Sequence, residues 1–178
     1  MERIWRSVRR GGSGAPEEMP NAVFPPIGVV RNAVKDSQMY GWESVESRIV
    51  VLGELADALD GLEGFSHVIV LFWIDRVPEG ERGATRIHPM GDPTLPLLGV
   101  LATRTQLRPN PIGMSIVPLL SRKGNELRVR GLDAIDGTPV LDVKPYIPHY
   151  DSVPQASLPA WASEVAERRL HPHAEDLA

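Results

Sequence analysis

Residues 115–131 read SIVPLLSRKGNELRVRG, and the reading of this stretch decides the fold. Leu127 and Val129 alternate with Arg128 and Arg130, the period-two signature of a strand with one apolar face and one wet face. Lys123-Gly124-Asn125 supplies turn chemistry directly before it, so the whole stretch predicts a β-hairpin. Working outward, short β-type runs recur at 27–34, 48–52, 68–74, 99–103 and 139–143, each followed by turn residues. Such a series predicts a mainly β protein: a small closed or nearly closed β-barrel of about six to seven strands with short peripheral helices.

Two helices are expected at the edges. Residues 54–62 place Leu55, Leu59 and Leu62 on one side, with Gly61 or Gly64 to close the helix. Residues 160–170 place Trp161, Val165 and Leu170 on a packing face, with Glu164 and Glu167 near Arg168. Between 77 and 96 the chain is rich in Gly, Pro and charge and reads as a long irregular loop, a kind of segment that tends to carry function. The expected organisation is a flexible N-terminal segment at 1–24, the barrel at 25–156, and a C-terminal helix and tail at 157–178.

The chain has 178 residues, about one domain, and no cysteine, which removes disulfides, thiolate metal sites and thiol nucleophiles together. No apolar run approaches the roughly 20 residues of a membrane span, and Met1 to Arg10 lacks the apolar stretch of a secretory signal, so a soluble cytoplasmic protein without membrane contact is expected. A net charge of −4 argues against indiscriminate nucleic-acid binding but leaves room for a local basic face. Arg3, Arg6, Arg9 and Arg10 precede a Gly11-Gly12-Ser13-Gly14 link and read as a loose basic end. His171-Pro172-His173 lacks the partners that would complete a tetrahedral site, so no metal is expected.

The loop Arg104-Thr105-Gln106-Leu107-Arg108-Pro109-Asn110-Pro111-Ile112-Gly113 follows an apolar run. Pro109 and Pro111 fix their own φ and push Arg108 and Asn110 toward extended conformations, so these side chains are set in direction before a ligand arrives. The guanidinium forks of Arg104 and Arg108 suit a carboxylate or an RNA phosphate, and Asn110 can both donate to and accept from a base. The segment Leu132-Asp133-Ala134-Ile135-Asp136-Gly137-Thr138-Pro139 combines two carboxylates with a tight Asp-Gly turn whose backbone can pair with a base edge or a hydroxyl. Asp142, Lys144 and Tyr146 lie at i, i+2 and i+4 of an extended run and project to one face, with Val143 on the other.

Taken in order, Gly61-Leu62-Glu63-Gly64-Phe65-Ser66-His67, Gly99-Val100-Leu101-Ala102-Thr103-Arg104, Arg108-Pro109-Asn110-Pro111-Ile112-Gly113-Met114-Ser115, Gly131-Leu132-Asp133, Asp136-Gly137-Thr138-Pro139-Val140-Leu141-Asp142-Val143-Lys144-Pro145-Tyr146 and Asp151-Ser152-Val153-Pro154 resemble the TsaA-like, TrmO-type family of S-adenosylmethionine-dependent tRNA methyltransferases. The resemblance covers residues 27–154. It implies a β-barrel enzyme that methylates N6 of threonylcarbamoyladenosine at position 37 of a tRNA anticodon loop, working as a homodimer. It further implies cofactor contacts from Asp75, Arg76, Arg104, Met114, Leu132, Asp133, Asp136, Gly137, Thr138 and Pro139, and RNA contacts from Arg108 and Asn110. Asp142, Lys144, Tyr146 and His67 are the catalytic candidates. The lone pair of the attacking nitrogen is delocalised, so a general base is required, and Asp142, Asp136, Tyr146 and His67 all remain open for that role. A same-fold enzyme acting on a small molecule or another RNA, and a nucleotide-binding barrel without turnover, are the competing readings. The chain departs from the family at Asp36-Ser37-Gln38-Met39-Tyr40-Gly41-Trp42-Glu43, where a Pro-Arg-Gln type segment is usual.

Overall fold

The computed structural model describes residues 22–170. Its elements in chain order are β1 (Gly28–Arg31), β2 (Glu46–Val51), β3 (His67–Trp73), β4 (Arg86–Ile87), β5 (Leu98–Gly99), β6 (Ile112–Lys123), β7 (Glu126–Arg130), β8 (Pro139–Pro145), α1 (Pro148–Asp151) and α2 (Ala160–Leu170), joined by loops and 3₁₀ turns. The hairpin read from the sequence is β6–β7, with Lys123 paired to Glu126 across a turn in which Gly124 takes a φ of 59°. Six strands close an antiparallel barrel in the order β1-β2-β7-β6-β3-β8, while β4 and β5 pair apart from it. Alternation explains the core. Val30, Ile49, Val68, Val70, Val117, Leu127, Val129 and Val140 face inward and are buried, and branched side chains of this size fill a six-stranded interior.

Two sequence expectations are corrected. The run 99–103 is not a barrel strand: Leu98–Gly99 pairs only with β4, and Val100–Ala102 then turns as a 3₁₀ segment. The 54–62 helix is a 3₁₀ run over Gly53–Leu59, separated from a second turn at Leu62–Gly64 by Gly61 with φ 85°. Leu55, Leu59 and Leu62 still pack on the barrel, so burial was read correctly where the helix type was not. The 77–96 stretch is a long loop, as its composition suggests, broken only by β4 and two short 3₁₀ turns. Arg82 donates to the carbonyls of Val77 at 2.7 Å and Asp75 at 3.2 Å and lies over the Trp73 ring. Helix α2 forms as predicted, and Arg168 clips it to Asp92 of that loop at 2.7 Å while also pairing with Glu164. The basic residues at 3–10 and the histidines of 171–173 lie outside the described residues.

Candidate active-site rim

Because neighbouring strands run antiparallel, the connections 32–45, 74–111 and 131–138 all leave the barrel at one end. The 131–138 connection is tied down there. Gly137 donates to Val30 O at 2.9 Å, Asp136 donates to Val34 O at 2.7 Å, and Val30 donates to Thr138 O at 2.9 Å. Gly137 has a φ of 88°, a conformation that L side chains resist, which is why the Asp-Gly pair sits at this tight bend. Leu132 and Thr138 are buried beneath the turn, so Leu132 plugs the barrel end and offers a ligand only its backbone. Asp133 is exposed.

One residue that sequence reasoning missed organises this end. Asn32 donates through Nδ2 to Ser47 Oγ at 2.9 Å and to Ala134 O at 2.8 Å, and its Oδ1 accepts from Val34 N at 3.0 Å. Its own backbone N–H donates to Asp136 Oδ1 at 3.1 Å. The only sequence signal was an Asn near the end of a β-type run, where such side chains commonly bond nearby backbone. Arg76 closes the arrangement, donating to Lys35 O at 2.8 Å and to Asp136 O at 3.1 Å. Lys35 in turn reaches Asp136 Oδ2 at 2.7 Å. The Lys35 ammonium, seconded by the Asn32 N–H, holds the Asp136 carboxyl below its ordinary range. An acid kept ionised in this way is a weak proton acceptor, so Asp136 suits binding rather than general-base work.

The Arg104–Gly113 segment lies on the same end. Pro111 O accepts from Ile74 N at 2.8 Å, and the Phe72 ring covers Gly113 so closely that a Cβ there would lie 2.2 Å from the ring. Arg104 donates to Met114 O at 2.9 Å, whereas Arg108, half-buried, braces its own loop through Thr103 O and Thr105 O. Arg104 therefore ties the loop to β6 and Arg108 ties the loop to itself, each through part of its guanidinium fork. Asn110 is exposed beside them. The divergent 36–43 segment spans this end too: Trp42 Nε1 donates to Gln38 O at 2.9 Å, and the Tyr40 hydroxyl is buried without a partner among the described residues.

The remaining candidates stand elsewhere. Asp142 and Lys144 form an ion pair on the outer face of β8, opposite Leu71 and Ile69 of β3. A β-bulge at Leu141 puts them there, because it reverses the in-out alternation after the inward Val140 and leaves Val143 facing the core. His67 and Tyr146 meet at the opposite end of the barrel, with ring centroids 6.3 Å apart and the Ser66 hydroxyl 2.9 Å from His67 Nδ1. Six steps along β3 separate His67 from Trp73, about 20 Å at strand spacing. Within one chain, then, Asp75, Arg76, Arg104, Asp136 and Gly137 share an end, and His67 and Tyr146 are remote from it. Asp142 bridges the two regions, since Met114, Leu71 and Asp142 lie side by side across β6, β3 and β8. No group of three or more His, Asp or Glu suited to a metal ion occurs among the described residues.

A closed antiparallel barrel that gathers a locked Asp-Gly turn and an Arg-Pro-Asn-Pro loop on one rim defines a small barrel protein with one polar end. The chain belongs to the family of the tRNA-methyltransferase O N-terminal domain, whose model matches residues 35–152. Among its relatives, a probable S-adenosyl-L-methionine-binding protein of Methanothermobacter thermautotrophicus is 46% identical over 72% of this chain and 92% of that protein. The tRNA (adenine(37)-N6)-methyltransferase of Escherichia coli is 37% identical over 78% of this chain and 63% of its own length. A crystal structure of TrmO from Pseudomonas aeruginosa superposes with a TM-score of 0.66 at 32% identity, covering 82% of this chain and 63% of that one.

Proposed function

We propose that this protein transfers a methyl group from S-adenosylmethionine to N6 of adenine 37 in the tRNA anticodon loop, acting on the threonylcarbamoylated nucleoside. The observation that carries the reading is the 131–138 turn, clamped by Asn32, Lys35 and Arg76 on the rim that also bears Arg104 and Arg108. The relatives' names add the chemistry: one, from Archaeoglobus fulgidus, is an S-adenosyl-L-methionine-binding protein and another a tRNA (adenine(37)-N6)-methyltransferase.

The rim's donor set fits that cofactor. It needs partners for an adenine edge, for hydroxyls and for an amino-acid end, and this rim offers turn backbone, the Asp133 and Asp136 carboxylates and the exposed Arg104 fork. When bound, S-adenosylmethionine supplies an electrophilic methyl group. Arg104 would hold the carboxylate of the amino-acid end, and Arg108 with Asn110 would meet the RNA. Asp142 takes the proton from N6: it stands in the row of Met114 and is paired with Lys144 through one oxygen, whereas Asp136 is bound on both oxygens. Alignment of the two reactants then supplies much of the rate, on the order of 7 to 11 kcal/mol.

The working form is a homodimer in the cytoplasm. Along β6, Ile112, Met114, Ile116 and Leu120 are exposed, and Ile69, Leu71 and Trp73 flank them on β3. A second copy seated on this apolar strip would close over Asp142 and bring His67 and Tyr146 of one copy toward the rim of the other. Mass analysis of tRNA nucleosides tests the function. Cells lacking this protein should lose methylated threonylcarbamoyladenosine and keep its unmethylated precursor. Persistence of the methylated nucleoside, with purified protein and S-adenosylmethionine inactive on precursor tRNA, would sink the reading.

A further inference from the structure

The outer face of β1, β2 and β7 carries a feature that the rim chemistry does not use. The strand register sets Arg31 directly opposite Arg48, and Arg48 directly opposite Arg128. With strands about 4.8 Å apart, three guanidinium stems leave the same face within roughly 10 Å. Like charges directly opposite one another destabilise a sheet, so this row is not explained by stability. Its neighbours only partly balance it. Glu126 meets Arg48 at 3.3 Å, Glu46 is shared by Arg128 at 2.6 Å and Arg130 at 2.9 Å, and Asp136 stays 3.9 Å from Arg31 because Lys35 already holds it. Cations outnumber carboxylates here in a chain whose net charge is −4. All three row arginines are about half exposed, and a cleft of about 370 Å³ with Asn32 and Ser47 in its lining connects the row to Asp136.

We propose that the Arg31–Arg48–Arg128 row is a binding face for the phosphate backbone of RNA, leading the substrate toward the rim that holds the 131–138 turn. The inference rests on the tRNA reading above and names the surface that would deliver it. Arginine forks suit phosphate oxygens, and exposed pairs with Glu46 and Glu126 contribute little enough that phosphate can replace them. The face is local and basic on an acidic protein, so it would favour RNA that is also held at the rim over nucleic acid in general.

The test uses the full chain with Arg48→Gln and Arg128→Gln combined, leaving Arg31 intact because it lies beside Asp136. tRNA binding is measured by fluorescence anisotropy across a salt series, S-adenosylhomocysteine binding by calorimetry, and folding by thermal unfolding. The tRNA Kd should rise about tenfold at low salt, and the slope of log affinity against log salt should flatten by about 1.4 to 1.8, two contacts' worth. Cofactor-product binding should stay within twofold of wild type. Glu126→Gln, which frees Arg48, should shift tRNA affinity the other way and keeps the test decisive should the double variant fold poorly. Unchanged tRNA affinity and slope in these variants, while the wild type binds and methylates tRNA, overturns the proposal and leaves the row a surface ion-pair lattice. A wild type that binds no tRNA at all removes the functional reading and this surface with it.

Discussion

Asn32→Ala should loosen the rim that bears the 131–138 turn without touching the barrel core. The side chain makes three hydrogen bonds, to Ser47 Oγ, Ala134 O and Val34 N, at 2.8 to 3.0 Å. Each neutral bond contributes about 0.5 to 1.5 kcal/mol. Ser47 and Ala134 are nearly buried, so part of the cost is the stranding of the Ser47 hydroxyl and the Ala134 carbonyl, and a total of about 2 to 3 kcal/mol is expected. For a chain of this size that corresponds to a fall in Tm of roughly 5 to 10 °C. Asn32→Asp should do no better, because a carboxylate cannot donate to either oxygen and adds a negative charge beside Asp136. Calorimetric titration with S-adenosylhomocysteine at a temperature where the variant is folded should show a Kd raised at least about tenfold, since the 131–138 turn loses its anchor. An unfolding midpoint within a degree of wild type would refute the assignment of Asn32 as the organising residue. Lost stability with unchanged ligand binding would separate the turn from the cofactor.

Gly113→Ala should cost about 1 to 3 kcal/mol, because its Cβ would meet the Phe72 ring at 2.2 to 2.8 Å, and the denaturant midpoint reads this directly. The Asp92 carboxyl is held down to about 2 by the Thr94 hydroxyl and then by Arg168. A group depressed on folding contributes stability above its ordinary range and loses it as pH falls through the depressed value. The stability gap between wild type and Arg168→Gln should therefore be constant above about pH 5 and close toward about pH 2, and a gap that ignores acid across that window contradicts the clip. Ile116→Glu should convert a dimer to monomer in light scattering with the barrel still folded, and a dimer that survives it places the contact elsewhere.

The amino-acid sequence by itself determined the barrel class, because a side-chain period of two and turn residues between runs are local properties that do not depend on distant partners. Leu127, Val129 and the Lys123-Gly124-Asn125 turn specified a hairpin wherever the rest of the chain lay, and the ordered motifs specified the family. Closure was a different matter. That β1 pairs with β8, that Val100–Ala102 turns instead of joining the sheet, and that 53–59 takes 3₁₀ form were decided by which backbone groups found partners once the barrel had closed. Composition could not announce the bulge at Leu141, yet that one extra residue sends Asp142 and Lys144 outward. Asn32 and the Arg31–Arg48–Arg128 row were invisible for the same reason: their meaning lies in contacts across 15 to 102 positions of chain and in register between strands, quantities set only when tertiary structure brings distant segments to hydrogen-bonding distance.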